Sequence, residues 1–144
     1  MYKVGMYGGS FNPLHRGHVN NIITASNLCE KLYIVLSVTE DEKEIIEKHR
    51  SAGETLFIVS ASPENWIRPW AMKNGFTEVI ATKLEERDGV LTGKFASRNC
   101  YGVEKVNRLK EFFTDREQVY LSAYGDSSGD RPMLNYANHG VLIK

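Results

Sequence analysis

Leu56-Phe57-Ile58-Val59, a helical stretch opened by Pro63 and closed by Gly75, then Glu78-Val79-Ile80-Ala81: this succession decides the fold. The two apolar runs are too short for helices and lack polar alternation, which marks strands buried on both faces. Proline suits the first turn of a helix and glycine its end, so residues 63–74 are expected to be helical. A strand, a helix and a second strand joined so closely form a parallel βαβ unit.

The same alternation extends towards both ends. Residues 2–7 read as a strand, 17–29 as a helix and Leu32-Tyr33-Ile34-Val35-Leu36 as another buried strand. Residues 40–51 read as a charged helix with Ile45 and Ile46 inward, stopped near Gly53. Asp88-Gly89 predicts a hairpin turn inside a small β-insertion near 83–93. A helix over 102–113, a strand over 119–124, a short helix over 131–137 and a strand over 140–143 complete the series. The expected fold is α/β and Rossmann-like: three layers, with a mostly parallel sheet and helices on both of its faces. At 144 residues the chain fits one domain, 1–144.

Composition narrows the function. Eighteen basic residues balance eighteen acidic ones, which gives no electrostatic case for nucleic-acid or membrane-surface partners. No apolar run approaches membrane-spanning length, and a cytoplasmic location is the expectation. Cys29 and Cys100 are too few and too far apart for a disulfide framework or a zinc site.

The most specific stretch is Gly8-Gly9-Ser10-Phe11-Asn12-Pro13-Leu14-His15-Arg16-Gly17-His18, after the first strand. Glycines let the backbone approach a phosphate, and imidazole donors beside a helix start can stabilise its charge. This stretch resembles the nucleotidylyltransferases, over roughly residues 1–38. The resemblance implies an ATP or CTP ligand, contacted by Gly8, Gly9, Ser10 and Phe11 through the turn and by His15 and His18 at the phosphates. The serine/threonine-rich segment ending in arginine with which those enzymes close their site does not follow residue 38.

Three further patterns occur in order. Phe57-Ile58-Val59-Ser60-Ala61-Ser62-Pro63 sets Ser60 at a strand end, where its hydroxyl can donate to a phosphoryl oxygen. Asn99-Cys100-Tyr101-Gly102-Val103-Glu104-Lys105 sets Lys105 in the first turns of a helix. Tyr124-Gly125-Asp126-Ser127-Ser128-Gly129-Asp130 sets two carboxylates on a loop after a strand, suited to Mg²⁺. Singly, each residue is as well read as an ordinary strand-end, helix-surface or turn residue. Together they resemble the haloacid dehalogenase-like phosphatases, in their phosphoserine phosphatase-like branch, over 43–144. That resemblance implies Mg²⁺ at Asp126 and Asp130, and phosphate contacts from Ser60 and Lys105. The Asp-x-Asp-x-Thr sequence that supplies such enzymes with a nucleophile occurs nowhere in the chain.

The two resemblances together suggest a chimera joined near residues 38–43, with strand 2–7 lying beside strand 119–124 in one continuous sheet. Three readings stay open: a nucleotidylyltransferase-like binder of a nucleoside triphosphate or phosphorylated small molecule, a Mg²⁺-dependent phosphatase relative, and a non-catalytic recombined fold. Incomplete catalytic sets also leave apolar faces that a homo-oligomer would cover.

Overall fold

A computed structural model describes residues 2–8, 29–35 and 40–143. Gly9, Ser10, Phe11, His15 and His18 lie outside these residues, as do 17–28 of the helix expected over 17–29 and the start of the expected join at 38–43; Cys29, expected to end that helix, opens β2 instead. The described elements are β1 (Tyr2–Gly8), β2 (Cys29–Val35), α1 (Glu40–Ser51), β3 (Phe57–Pro63), α2 (Glu64–Lys73), β4 (Glu78–Thr82), β5 (Leu84–Arg87) and β6 (Val90–Phe95). They continue with α3 (Val103–Phe112), β7 (Ser122–Gly125), α4 (Arg131–Tyr136) and β8 (His139–Leu142).

Side-chain alternation along β3 and β4 builds the layers. Ile58, Val79 and Ala81 point to one face, where Ile67 and Ala71 of α2 and Ile46 of α1 pack with Phe76. Val59 and Ile80 point to the other, where they meet Leu109 of α3 and Met133 of α4 together with Cys100 and Ala123. Helices on opposite faces of parallel strands are thus as expected, with the apolar runs buried on both sides. The ladders β1–β2, β3–β4 and β7–β8 are all parallel, while β5–β6 is an antiparallel hairpin. Its turn has positive φ at Asp88 (52°) and Gly89 (77°), the geometry an Asp-Gly hairpin requires.

Several boundaries shift for identifiable reasons. Pro63 remains in register with Thr82 at the end of β3, so it caps α2 instead of opening its first turn. Strand β7 starts at Ser122, not 119: a 3₁₀ turn occupies Arg116–Gln118, and the Asn138 side chain takes the Leu121 N–H at 2.9 Å. Gly75, at φ 78°, closes α2 as expected, with Phe76 N–H returning to the Ala71 carbonyl at 3.1 Å.

The larger correction concerns the sheet. Among the described residues the strands form four separate two-stranded ladders, and β1 pairs with β2, not with β7. Six matched positions, from Tyr2↔Cys29 to Gly8↔Val35, hold β1 against β2. The continuous layer expected from the sequence is therefore interrupted between β3 and β7.

Thr82 fixes the carboxyl end of the β3–β4 pair. It is fully buried, and its hydroxyl donates to the Ala61 carbonyl at 2.8 Å while accepting the Cys100 N–H at 2.9 Å. Thr82→Val keeps the shape and strands both backbone groups, so it should cost about 1–3 kcal/mol, read as a lower urea midpoint with unchanged slope. An unchanged midpoint would show that the hydroxyl does not hold the strand ends.

Candidate functional site

Ser60, Lys105, Asp126 and Asp130 come together at the carboxyl ends of β3 and β7, around a groove of about 920 Å³ that all four line. Parallel strands place their following loops on one rim, where ligands of open α/β sheets bind. Asp126 and Asp130 reach the groove from the loop after β7, Ser60 from within β3 and Lys105 from α3.

Lys105 and Asp130 form the centre. They are 3% and 4% exposed, and their ammonium and carboxylate are bonded directly to one another. Lys105 Nζ also donates to the Val59 carbonyl at 3.4 Å, next to Ser60. An ammonium has three donors, so one remains for a group in the groove. Ser60 Oγ accepts the Ser62 N–H at 3.1 Å, which turns the chain after the strand and leaves the hydroxyl hydrogen available.

The loop after β7 is built around Asp130. Its Oδ2 accepts the Ser127 hydroxyl at 2.7 Å, the Ser127 N–H at 3.0 Å and the Asp126 N–H at 3.2 Å. Burial alone would raise the Asp130 pKa. The Lys105 hydrogen bond and charge, followed by the Ser127 bonds, outweigh it and hold the carboxyl below its ordinary range. Gly125 and Gly129 make this packing possible: a Cβ at Gly125 would overlap the Asp130 side chain, and one at Gly129 would overlap the Tyr101 ring. Gly102, at φ 59°, opens α3 and donates its N–H to the Gly129 carbonyl at 3.1 Å, which joins the lysine helix to the aspartate loop.

The two aspartates therefore have different jobs. Both oxygens of Asp130 are engaged by Lys105, Ser127 and the backbone of Asp126, so it organises the loop and does not offer a free metal ligand. Asp126 is exposed, and its carboxylate is engaged by no described residue. Among the described residues no group of three or more histidine, cysteine or acidic side chains converges as a ready cation site. Both aspartates are expected from the sequence to hold Mg²⁺; the engagement of both Asp130 oxygens by Lys105, Ser127 and the Asp126 N–H corrects that for Asp130.

Two features were not visible in the sequence. Thr82 carries no motif, and its importance lies in the backbone groups it meets. His49, on α1, reaches Tyr124 Oη at 2.9 Å through Nε2, and its Nδ1 meets the Glu54 carboxylate. This ties α1 to β7 across 75 residues of sequence. Cys100 is fully buried, and burial pushes its thiol pKa up, so it is a packing residue rather than a nucleophile. Trp70 is partly exposed and lies 5.8 Å from Phe76, ring centre to ring centre.

Comparison with known proteins bears on the same residues. Over 90 residues the chain is 39% identical to the protein CicA of Caulobacter vibrioides (strain NA1000 / CB15N), covering 62% of this chain and 40% of that one. Over 122 residues it is 28% identical to the phosphoserine phosphatase SerB1 of Mycobacterium tuberculosis (strain ATCC 25618 / H37Rv), covering 81% and 39%. The chain thus spans less than half the length of either relative. The crystal structure of a probable phosphoserine phosphatase from Vibrio cholerae superposes with a TM-score of 0.59 at 18% identity, over 71% of this chain and 32% of that one, which establishes the fold. Among the described residues, no helix is long and apolar enough to cross a membrane.

A family model for haloacid dehalogenase-like hydrolases matches residues 14–135. The match begins within the segment that resembles the nucleotidylyltransferases and crosses the expected join at 38–43. It lends no support to a junction there or to an ATP or CTP ligand. With the rim of Ser60, Lys105 and the 125–130 loop in place and a family match across most of its length, the chain belongs to the haloacid dehalogenase-like hydrolases.

Proposed function

We propose that this chain binds the phosphoryl group of a small phosphorylated molecule at the rim of the groove, as a phosphatase relative that does not turn over as it stands. The observation that carries the reading is the buried Lys105–Asp130 pair, bonded to the Val59 carbonyl of β3 and to the loop after β7, with Ser60 next to Val59 in the strand. Asp130 fixes the ammonium, and the remaining N–H of Lys105 and the Ser60 hydroxyl supply donors to phosphoryl oxygens. Similarity to the phosphoserine phosphatase named above supports a phosphate monoester as the ligand class.

Mg²⁺ is the cation implied by this family. Mg²⁺ commonly keeps several waters and takes one or two carboxylates plus substrate phosphate oxygens, and the exposed Asp126 carboxylate fits such a site. When bound there, the ion would neutralise phosphoryl charge. The rest of the work belongs to the chain: Lys105 and Ser60 orient the anion, and Asp130 keeps Lys105 in place. No Asp-x-Asp-x-Thr sequence is present among the 144 residues. Without that carboxylate, the route through an aspartyl-phosphate is closed to this chain on its own.

Calorimetry with inorganic phosphate and Mg²⁺ tests the binding reading. Phosphate should bind, and Mg²⁺ should strengthen that binding. Ser60→Ala should weaken phosphate by about 2–10-fold, the value of a neutral hydrogen bond, while Asp126→Asn should abolish the Mg²⁺ dependence. Phosphate binding indifferent to both substitutions would contradict the proposed site. Hydrolysis of p-nitrophenyl phosphate should stay at the rate without protein, and phosphate release above it would contradict the turnover claim.

The lowered Asp130 pKa also predicts a direction for acid stability. A carboxyl whose folded pKa lies below its unfolded value of about 3.9 stabilises the fold above that value and loses the contribution as pH falls through the folded one. Urea midpoints should hold steady from neutral pH down to about 4 and then fall. Asp130→Asn should show less of that acid-dependent fall, and an equal fall in both proteins would assign it to other groups.

A further inference from the structure

The ladder between β3 and β4 is interrupted at one place. Ser60 pairs with Ala81 and Pro63 with Thr82, so Ala61 and Ser62 have no counterpart on β4. Extra residues of this kind form a bulge, which re-aims a side chain and leaves backbone groups without ladder partners. Ala61 and Ser62 are 1% and 4% exposed, so their backbone groups are nearly out of reach of water and need partners in the protein. Two of these groups are met by hydroxyls. The Thr82 hydroxyl donates to the Ala61 carbonyl at 2.8 Å, and Ser60 Oγ accepts the Ser62 N–H at 3.1 Å.

The second bond decides what Ser60 can do. A hydroxyl has one hydrogen, and an oxygen that already accepts the Ser62 N–H turns that hydrogen away from the amide. Ser60 is thus set as a donor, the role that a phosphoryl oxygen requires. The setting lasts while the bulge keeps its shape, and Thr82 holds that shape. Thr82 Oγ1 also accepts the Cys100 N–H at 2.9 Å, and the Asn99 carboxamide oxygen lies 3.2 Å away. With one hydrogen to give, Thr82 gives it to the nearer Ala61 carbonyl. On the other side of Ser60, the Val59 carbonyl is held by Lys105. The two carbonyls that flank Ser60 are therefore anchored by Lys105 and by Thr82.

We propose that Thr82 is a positioning residue for phosphoryl binding: its hydroxyl holds the bulge that aims the Ser60 hydroxyl hydrogen at the anion. The proposal rests on the phosphate reading above and adds to it a buried residue that touches no ligand.

Calorimetry with inorganic phosphate on the full chain tests this. Ser60→Ala and Thr82→Val should each weaken phosphate by about 2–10-fold, the value of one neutral hydrogen bond. Thr82→Ser keeps the hydroxyl and should bind as the unaltered chain does. In the Ser60→Ala background, Thr82→Val should cost nothing further, because its effect passes through the Ser60 hydroxyl. A Thr82 that only stabilised the fold would lower the urea midpoint and leave the folded protein's affinity unchanged. That result would overturn the proposal, as would an additive loss in the double variant. If Ser60→Ala weakens phosphate and Thr82→Val does not, the phosphate reading stands and this one falls; an unaltered chain that binds no phosphate removes both. A second readout needs no variant. In nuclear magnetic resonance, phosphate should shift the amide signals of Ser62 and Cys100 together, since the first proton bonds Ser60 Oγ and the second Thr82 Oγ1. A shift at Ser62 with Cys100 unmoved would also contradict the proposal.

Discussion

One buried ion pair holds the functional end of this molecule together. Lys105 comes from α3 and Asp130 from the loop after β7, and the lysine also reaches the Val59 carbonyl within β3. Three parts of the chain distant in sequence thus share one contact in a nearly dry environment. Removing a single partner of such a pair leaves an uncompensated buried charge, at a cost of about 3–5 kcal/mol. The other features of the rim follow from it. Ser127 and the Asp126 N–H are drawn onto the same carboxylate, and the glycines at 125 and 129 leave room for it to sit there.

A second constraint is imposed by what the pair does not close. Its bonds bring β3 and the loop after β7 to one rim, and among the described residues the facing edges of the two strands carry no ladder. His49 and Tyr124 add a tie between α1 and β7. The result is a groove with a polar end and apolar walls.

Much of this was legible from residues alone, and the reasons are local. The apolar runs of β3 and β4 announce strands buried on both faces, and the alternation of Ile58, Val59, Val79 and Ile80 between the two core clusters follows from strand geometry. Ser60, Lys105, Asp126 and Asp130 were identified because each stands at the end of a strand or the start of a helix in a recognisable order. The division of labour between the two aspartates was not legible, since it depends on which one is buried beside a lysine 25 residues away. Thr82 was missed for a similar reason: its partners are backbone atoms that sequence does not label. The continuous sheet was expected because both resemblances imply a parallel Rossmann-like sheet into which strand 2–7 would fit. Pairing is set between strands, and β1 is bonded to β2.

The central claim is that Lys105 and Asp130 act as a unit, and a double-mutant cycle measures this directly. Urea unfolding of Lys105→Met, Asp130→Asn and the double variant gives the coupling energy between the two side chains. The account predicts that the double variant is more stable than the sum of the single losses implies, by about 1–3 kcal/mol. Additive losses would show that the two groups merely lie close together, and the rim would then owe its shape to something else.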